Sequence, residues 1–309
     1  MRWAASAALR EGTSAMTNHV PGSGVGRFGG DRARPGGFRH TPQTSMKVEF
    51  AQVSDCGRRD HNEDYCSYVL PETAVEARTH GWLFALADGV GGQAQGEVAS
   101  RTAVETLLAG FREAKAGEPL EALLTSLIQK ANTRVFEVAL GAGRSGAGMA
   151  TTVVACALRF DRAVVAHVGD SRCYLLRHGR ATALTRDHTF ASEQARLRLL
   201  TTKEAARAST RHLLSRSLGS ELFAGVESSE HLVLAGDLLV LCSDGLHGAM
   251  EGPEIADIVR KNGDLRNAAR HLVSLANERD GADNTTVQLI RILSVERVGT
   301  YRGLPYKLR

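Results

Sequence analysis

The sequence predicts an α+β fold: a four-layer α-β-β-α sandwich, two antiparallel sheets packed face to face beneath outer helices. Three observations carry this. The run Trp82-Leu83-Phe84-Ala85-Leu86-Ala87 is apolar throughout, long enough for a strand buried on both faces and too short for a helix. Strand-like segments follow one another in pairs and triplets, without the regular β-α-β-α alternation of a parallel sheet. Helical periodicity is confined to two blocks, each of two helices, as expected for layers laid on the outside of a sandwich.

The elements follow in order. Val48, Phe50 and Val53 mark a first strand, which turns through Asp55-Cys56-Gly57-Arg58-Arg59 into a second from Tyr65 to Leu70. The central strand occupies 82–87 and breaks at Asp88-Gly89, with Gly91 and Gly92 close behind. Taken alone, Asp-Gly is a turn signal; a carboxylate beside backbone free of Cβ atoms can also serve a hard cation. Both readings stand at this point. Val104, Leu107, Leu108 and Phe111 then fall at i, i+3, i+4, i+7, and a second helix repeats the spacing from Leu120 to Val135. Glycines between 141 and 148 make a loop. Strands follow at 150–159, 162–168 and 172–178, the last turning at His178-Gly179. Residues 188–225 are polar, Arg-rich and weakly periodic, an inserted helical flap. Strands return at 231–234 and 238–242, helices at 253–261 and 265–279, and a last strand at 285–292.

Residues 1–45 are rich in Gly, Ala, Ser and Arg and read as a disordered extension, joined by linker chemistry such as Pro21-Gly22-Ser23-Gly24. The foldable domain runs from Met46 to 293, and 294–309 form a C-terminal tail. Of 38 Lys and Arg and 34 Asp and Glu, six arginines and two acids lie in residues 1–46, leaving 32 of each beyond. The net charge of +4 therefore belongs to the extension, and the domain offers no basic groove to nucleic acid. No apolar run approaches the roughly 20 residues of a membrane span. Five cysteines without a C-x-x-C pair, several in apolar runs, indicate reduced core residues and a cytoplasmic protein.

Carboxylates gather at strand ends. Glu63 and Asp64 open the second strand, Asp88 closes the third, Asp170 follows Val164–Val168, Asp244 follows Leu238–Cys242, and Asp283 opens the last. No matching set of Lys or Arg alternates with them, so a shared divalent cation is the natural partner. All-oxygen ligands without a cysteine or a histidine pair indicate Mg²⁺ or Mn²⁺. The histidines (His61, His167, His188, His212, His247) lack H-x-x-x-H spacing, which argues against zinc.

The ordered series Arg59-Asp60-His61-Asn62-Glu63-Asp64, Ala87-Asp88-Gly89-Val90-Gly91-Gly92, Ala150-Thr151-Thr152, Gly169-Asp170-Ser171-Arg172, Thr185-Arg186-Asp187-His188, Ser243-Asp244-Gly245 and Asp283-Asn284-Thr285-Thr286 resembles the metal-dependent Ser/Thr protein phosphatases of type 2C in their compact bacterial form. The resemblance implies the same sandwich. It implies that Asp88 bridges two metals while Gly89 lends its carbonyl, and that Asp244 and Asp283 complete one site and Glu63 with Asp64 the other. Arg59 would bind the substrate phosphate, and Asp170 would hold a third ion or merely serve its turn. Thr151 and Thr152 would hydrogen-bond near the core, and Ser171 and Arg172 would steady the turn that presents Asp170.

Val90 departs from the histidine that animal members carry there, so a proton donor for the leaving group must come from elsewhere. The implied activity is hydrolysis of phosphoserine and phosphothreonine by water shared between two or three Mn²⁺ or Mg²⁺ ions. The partners would be phosphorylated proteins, opposing a Ser/Thr kinase, and the protein a monomer. A catalytically silent phosphoprotein-binding regulator is the alternative; loss of a bridging aspartate would mark it, and none is lost.

Overall fold

Two-sided burial of the strands decides the architecture. The computed structural model describes residues 46–90, 94–143, 148–301 and 304–307; the 1–45 extension lies outside them. In chain order the elements are β1 (Lys47–Asp55), β2 (Asp64–Val69), α1 (Ala74–Thr79), β3 (Trp82–Val90), α2 (Ala94–Arg112), α3 (Leu120–Gly141), β4 (Ala150–Thr151), β5 (Val153–Arg159), β6 (Arg162–Val168), β7 (Arg172–Arg177) and β8 (Arg180–Ala183). They continue with α4 (Phe190–Arg196), α5 (Thr202–Ala205), β9 (Glu227–Leu232), β10 (Leu238–Cys242), α6 (Asp244–His247), α7 (Gly252–Asn262), α8 (Leu265–Arg279), β11 (Thr285–Ser294), β12 (Val298–Tyr301) and β13 (Leu304–Lys307). One sheet runs β1-β11-β10-β7-β8, the other β2-β3-β5-β6-β9 with β4 attached to β3, and their pairings are antiparallel.

Successive side chains of a strand point to opposite faces. On β3, Leu83, Ala85 and Ala87 pack under α2 and α3, while Trp82, Phe84 and Leu86 face the other sheet. On β10, Leu238, Val240 and Cys242 pack under α7 and α8, and Leu239 and Leu241 turn to the centre. Both apolar runs are thus filled on each face, which is why they show no polar alternation. The four layers follow. The helix stripes read from the sequence, Val104 to Phe111 and Leu120 to Val135, are the buried faces of α2 and α3.

Several elements depart from expectation. The central strand continues past 87 to Val90, because Gly89 and Val90 pair with Thr151 and Ala150. The strand expected at 150–159 is interrupted at Thr152. Strand β9 starts at Glu227 rather than 231 and is polar, as suits an edge strand. Helices α1 and α6 and strand β8 are four to six residues long, too short to show a period, and the tail forms the hairpin β12–β13. The flap holds α4 and α5. It is anchored on α3, where Asn132 Nδ2 donates to the carbonyls of Glu221 and Leu222 at 2.9 and 3.1 Å and Asn132 Oδ1 accepts from the Gly219 amide at 2.9 Å. The cysteines among the described residues are free thiols, Cys156, Cys173 and Cys242 buried.

Candidate metal and phosphate site

The two sheets bring their acidic strand ends to one rim of the sandwich. Asp88 does not turn the chain. Its amide donates to Thr152 Oγ1 at 3.0 Å, and its carbonyl accepts from Thr151 Oγ1 and the Thr152 amide, both at 2.8 Å. The paired threonines, expected only to hydrogen-bond near the core, therefore hold the Asp88 backbone from both sides. Thr152 Oγ1 is also 2.7 Å from Ser171 Oγ, which ties this strand end to the turn carrying Asp170. Across the ladder Asp64 is the register partner of Asp88, so the two carboxylates face each other on neighbouring strands.

Asn284 organises the adjoining loop. Its Oδ1 accepts from the Glu63 amide at 2.8 Å, and its Nδ2 donates to the carbonyls of Cys56 and His61. Arg59 lies over the acids: Nη2 is 3.0 Å from Asp283 Oδ2, Nη1 is 3.8 Å from Glu63 Oε2, and Nε donates to the Ala282 carbonyl at 3.0 Å. The guanidinium remains half exposed. Gly57 (φ +60°) permits this loop, since a Cβ there would lie 2.8 Å from the carbonyl oxygens of Asp283 and Gly281.

Asp244 opens α6 directly beyond β10, where its charge bears on the Asp88 carboxyl. The preceding Ser243 donates to Asp64 Oδ2 at 2.7 Å while accepting the Thr286 amide, so one hydroxyl joins three strand ends. His247, one turn along α6, lies 3.0 Å from the Asp170 carbonyl through Nε2. Two motifs of the sequence interlock below Asp170. Arg172 forms a bidentate pair with Asp187 at 2.8 and 2.7 Å, and the Gly169 amide donates to His188 Nδ1 at 3.2 Å. The His188 amide in turn donates to the Gly169 carbonyl. Their separation in sequence hid this contact.

The electrostatics state what the cluster needs. Burial, reinforced by the charges of Asp64, Asp244 and Asp170, holds the Asp88 carboxyl well above the usual carboxylate range. Burial likewise pushes Asp64 up to about 7, against hydrogen bonds from Thr286 and Ser243 that oppose it. Asp170 rises to about 8 through burial and the neighbouring Asp244 and Asp187. Glu63 and Asp244 are raised for the same first reason. Among the described residues, Glu63 Oε1, Asp64 Oδ1 and Asp244 Oδ1 are buried with no hydrogen-bond donor. Orphaned buried acceptors are costly, and a cation would satisfy all three. The space is kept open by glycine: a Cβ on Gly96 would stand 2.6 Å from Glu63 Oε1, and one on Gly89 would stand 2.2 Å from the Gly96 carbonyl oxygen. The all-oxygen set, the orphaned atoms and the glycine cradle fit hard divalent cations.

The structure thus joins Arg59, Glu63, Asp64, Asp88, Gly89, Asp170, Asp244 and Asp283 at one rim. Sequence reasoning quoted Ser243 within its motif and named His212 and His247, but it missed the supporting contacts of Ser243, His247 and Gly96 and that of His212, whose Nδ1 is 4.0 Å from Asp244 Oδ2. No local pattern announces them; they meet the site only through tertiary contact. Spacing also concealed a group of His167, His188 and Glu227. Glu227 there is already held by Arg186 and Arg216, His167 Nε2 bonds the Arg186 carbonyl, and burial keeps both imidazoles below the usual histidine range. Two guanidinium groups already neutralise the one carboxylate of this group.

Buried, unpartnered carboxylates beside a half-exposed arginine define a metal-dependent phosphoester hydrolase. The family model for protein phosphatase 2C matches residues 54–290. A serine/threonine phosphatase of Listeria welshimeri is 33% identical over 249 residues, 79% of this chain and 95% of that protein. The solved S. agalactiae serine/threonine phosphatase superposes with a TM-score of 0.73 at 32% identity, covering 80% of this chain and all of that one. The catalytic domain of the serine threonine protein phosphatase PstP, solved with two manganese ions, gives 0.67 at 31% identity, covering 81% of this chain and all of that one. The chain belongs to the protein phosphatase 2C family. It is a metal-dependent hydrolase that removes phosphate from serine and threonine side chains of proteins.

Proposed function

We propose that Asp88 is the shared ligand of two Mn²⁺ or Mg²⁺ ions, with the Gly89 carbonyl, Asp244 and Asp283 on one side and Glu63 and Asp64 on the other. Asp170 would hold a third. The observation that carries this is the convergence of three buried, donor-free carboxylate oxygens below Arg59. When bound, the ions supply an activated water and charge stabilisation for in-line displacement at phosphorus.

The chain's own residues do the rest. Arg59, with Nε fixed on the Ala282 carbonyl, turns its fork toward the cluster, where two N–H groups can meet two phosphate oxygens. Thr151, Thr152 and Asn284 fix the backbones of Asp88 and Glu63, and Ser243 fixes the Asp64 carboxylate, so the geometry is set before substrate arrives. Every carboxylate whose loss would mark a silent binding protein is in place.

Phosphorylated proteins are the substrates, and the protein opposes a Ser/Thr kinase in signal transduction, acting in the cytoplasm as a monomer. No helix among the described residues is long and apolar enough to cross a membrane. The catalytic unit begins at Met46. The test is turnover of a phosphothreonine peptide after EDTA treatment, then with Mn²⁺ or Mg²⁺ restored. Activity should vanish and return; full turnover by metal-stripped protein refutes the mechanism.

A further inference from the structure

The flap at 188–225 carries six cations, Arg196, Arg198, Lys203, Arg207, Arg211 and Arg216, against three acids, Glu193, Glu204 and Glu221. The acids near the cations are already engaged. Glu193 pairs with Arg196 at 2.7 Å and Arg216 at 3.2 Å, and Glu204 closes the capping box of α5 on Thr201. Arg198, Lys203, Arg207 and Arg211 are exposed, and none forms an ion pair or hydrogen bond through its side chain with a described residue. Some arginines of the outer helices are paired within one turn, Arg101 with Glu97, Arg134 with Glu137 and Arg260 with Asp257.

One of the unpaired cations, Arg211, stands by the catalytic rim. The chain leaves α5 through a succession of turns, Arg207 to Glu204, Ala208 to Ala205 and Arg211 to Ala208, which space Lys203, Arg207 and Arg211 four residues apart. It then passes His212, 4.0 Å from Asp244, and bonds Leu213 back to Phe190. Arg211 is therefore next to a residue that touches the acidic cluster. A peptide whose phosphate reached Arg59 would lay its neighbouring residues toward this flap.

We infer that the flap is a cationic docking surface for acidic residues flanking the phosphorylated side chain. This names a substrate class for the phosphatase reading above and rests on it. Exposed charges of this kind act chiefly on encounter and weakly on binding, about two- to fivefold per contact, and they are screened by salt.

The experiment uses the full chain loaded with Mn²⁺ and three phosphothreonine peptides that differ only in glutamate, glutamine or lysine on both sides. kcat/KM should fall in the order glutamate, glutamine, lysine, and the spread should shrink in roughly molar NaCl, where the Debye length is about 3 Å. Arg207→Gln with Arg211→Gln should narrow the spread several-fold, whereas Arg134→Gln, on a paired arginine of α3, should leave it as it is. Equal kcat/KM for the three peptides in the wild type would overturn the inference. So would a double variant that lowers all three equally, the mark of a structural role. Turnover of para-nitrophenyl phosphate reports the chemistry without any flank. Its absence sinks the phosphatase reading, and its presence beside equal peptide rates sinks the flap inference alone.

Discussion

The metal-free protein should be stabilised by Asp88→Asn, even though that substitution abolishes turnover. Asp64 and Asp88 are direct cross-strand partners, a placement that sets side chains roughly 5 Å apart. Two full charges at that range in an effective dielectric of about 20 repel by about 3 kcal/mol. Part of this is avoided by protonation, since burial pushes Asp64 up to about 7 and holds Asp88 well above the usual carboxylate range. Near pH 8 the relief left for Asn is about 1–2 kcal/mol, or about 5 °C in a domain of this size.

The sign with pH follows from the same shifts. Carboxyls raised from 3.8 to about 7 and about 8 let the folded chain bind more protons than the unfolded one. Metal-free stability is therefore greatest at the acid end and falls as pH rises from about 4 toward 8. Thermal scans in EDTA should show Asp88→Asn melting above wild type near pH 8, with the gap closing near pH 5. Excess Mn²⁺ should reverse the order, because only the wild type keeps its full ligand set. A wild-type midpoint in EDTA that does not move with pH would refute the reasoning. So would an Asp88→Asn midpoint below it near pH 8.

Gly96→Ala places a methyl against Glu63 Oε1 and should weaken Mn²⁺ binding by calorimetry about tenfold or more, with circular dichroism unchanged. Thr152→Val leaves the Asp88 amide without its acceptor and should cost about 1–3 kcal/mol in urea unfolding, lowering kcat as Asp88 shifts. If Asp170 holds a third ion, Asp170→Ala should lower turnover far more than melting temperature and should change the manganese dependence of the rate; identical titration curves would leave it a turn residue. Removing residues 1–45 should leave turnover of a small phosphopeptide within a few-fold and the melting temperature almost unchanged, the measurements that check the Met46 boundary.

The sequence by itself determined the layers and the ligand candidates. Burial on both faces removes polar alternation from a strand, so Trp82–Ala87 and Leu238–Cys242 announced central strands without help from context. Carboxylates that need a cation must stand where rigid strands end, and that linear signature survives in Glu63, Asp64, Asp88, Asp170, Asp244 and Asp283. What only the tertiary structure decided is how those ends are held. Asp88-Gly89 reads as a turn locally, yet Thr151 and Thr152, more than sixty residues away, extend it as strand by taking up its backbone donors and acceptors. Ser243 meeting Asp64, His247 meeting Asp170 and Gly96 yielding room to Glu63 have no local trace either. Hydrogen bonds and close approaches between distant segments depend on where the sheets cross, and no period or spacing along the chain encodes that crossing.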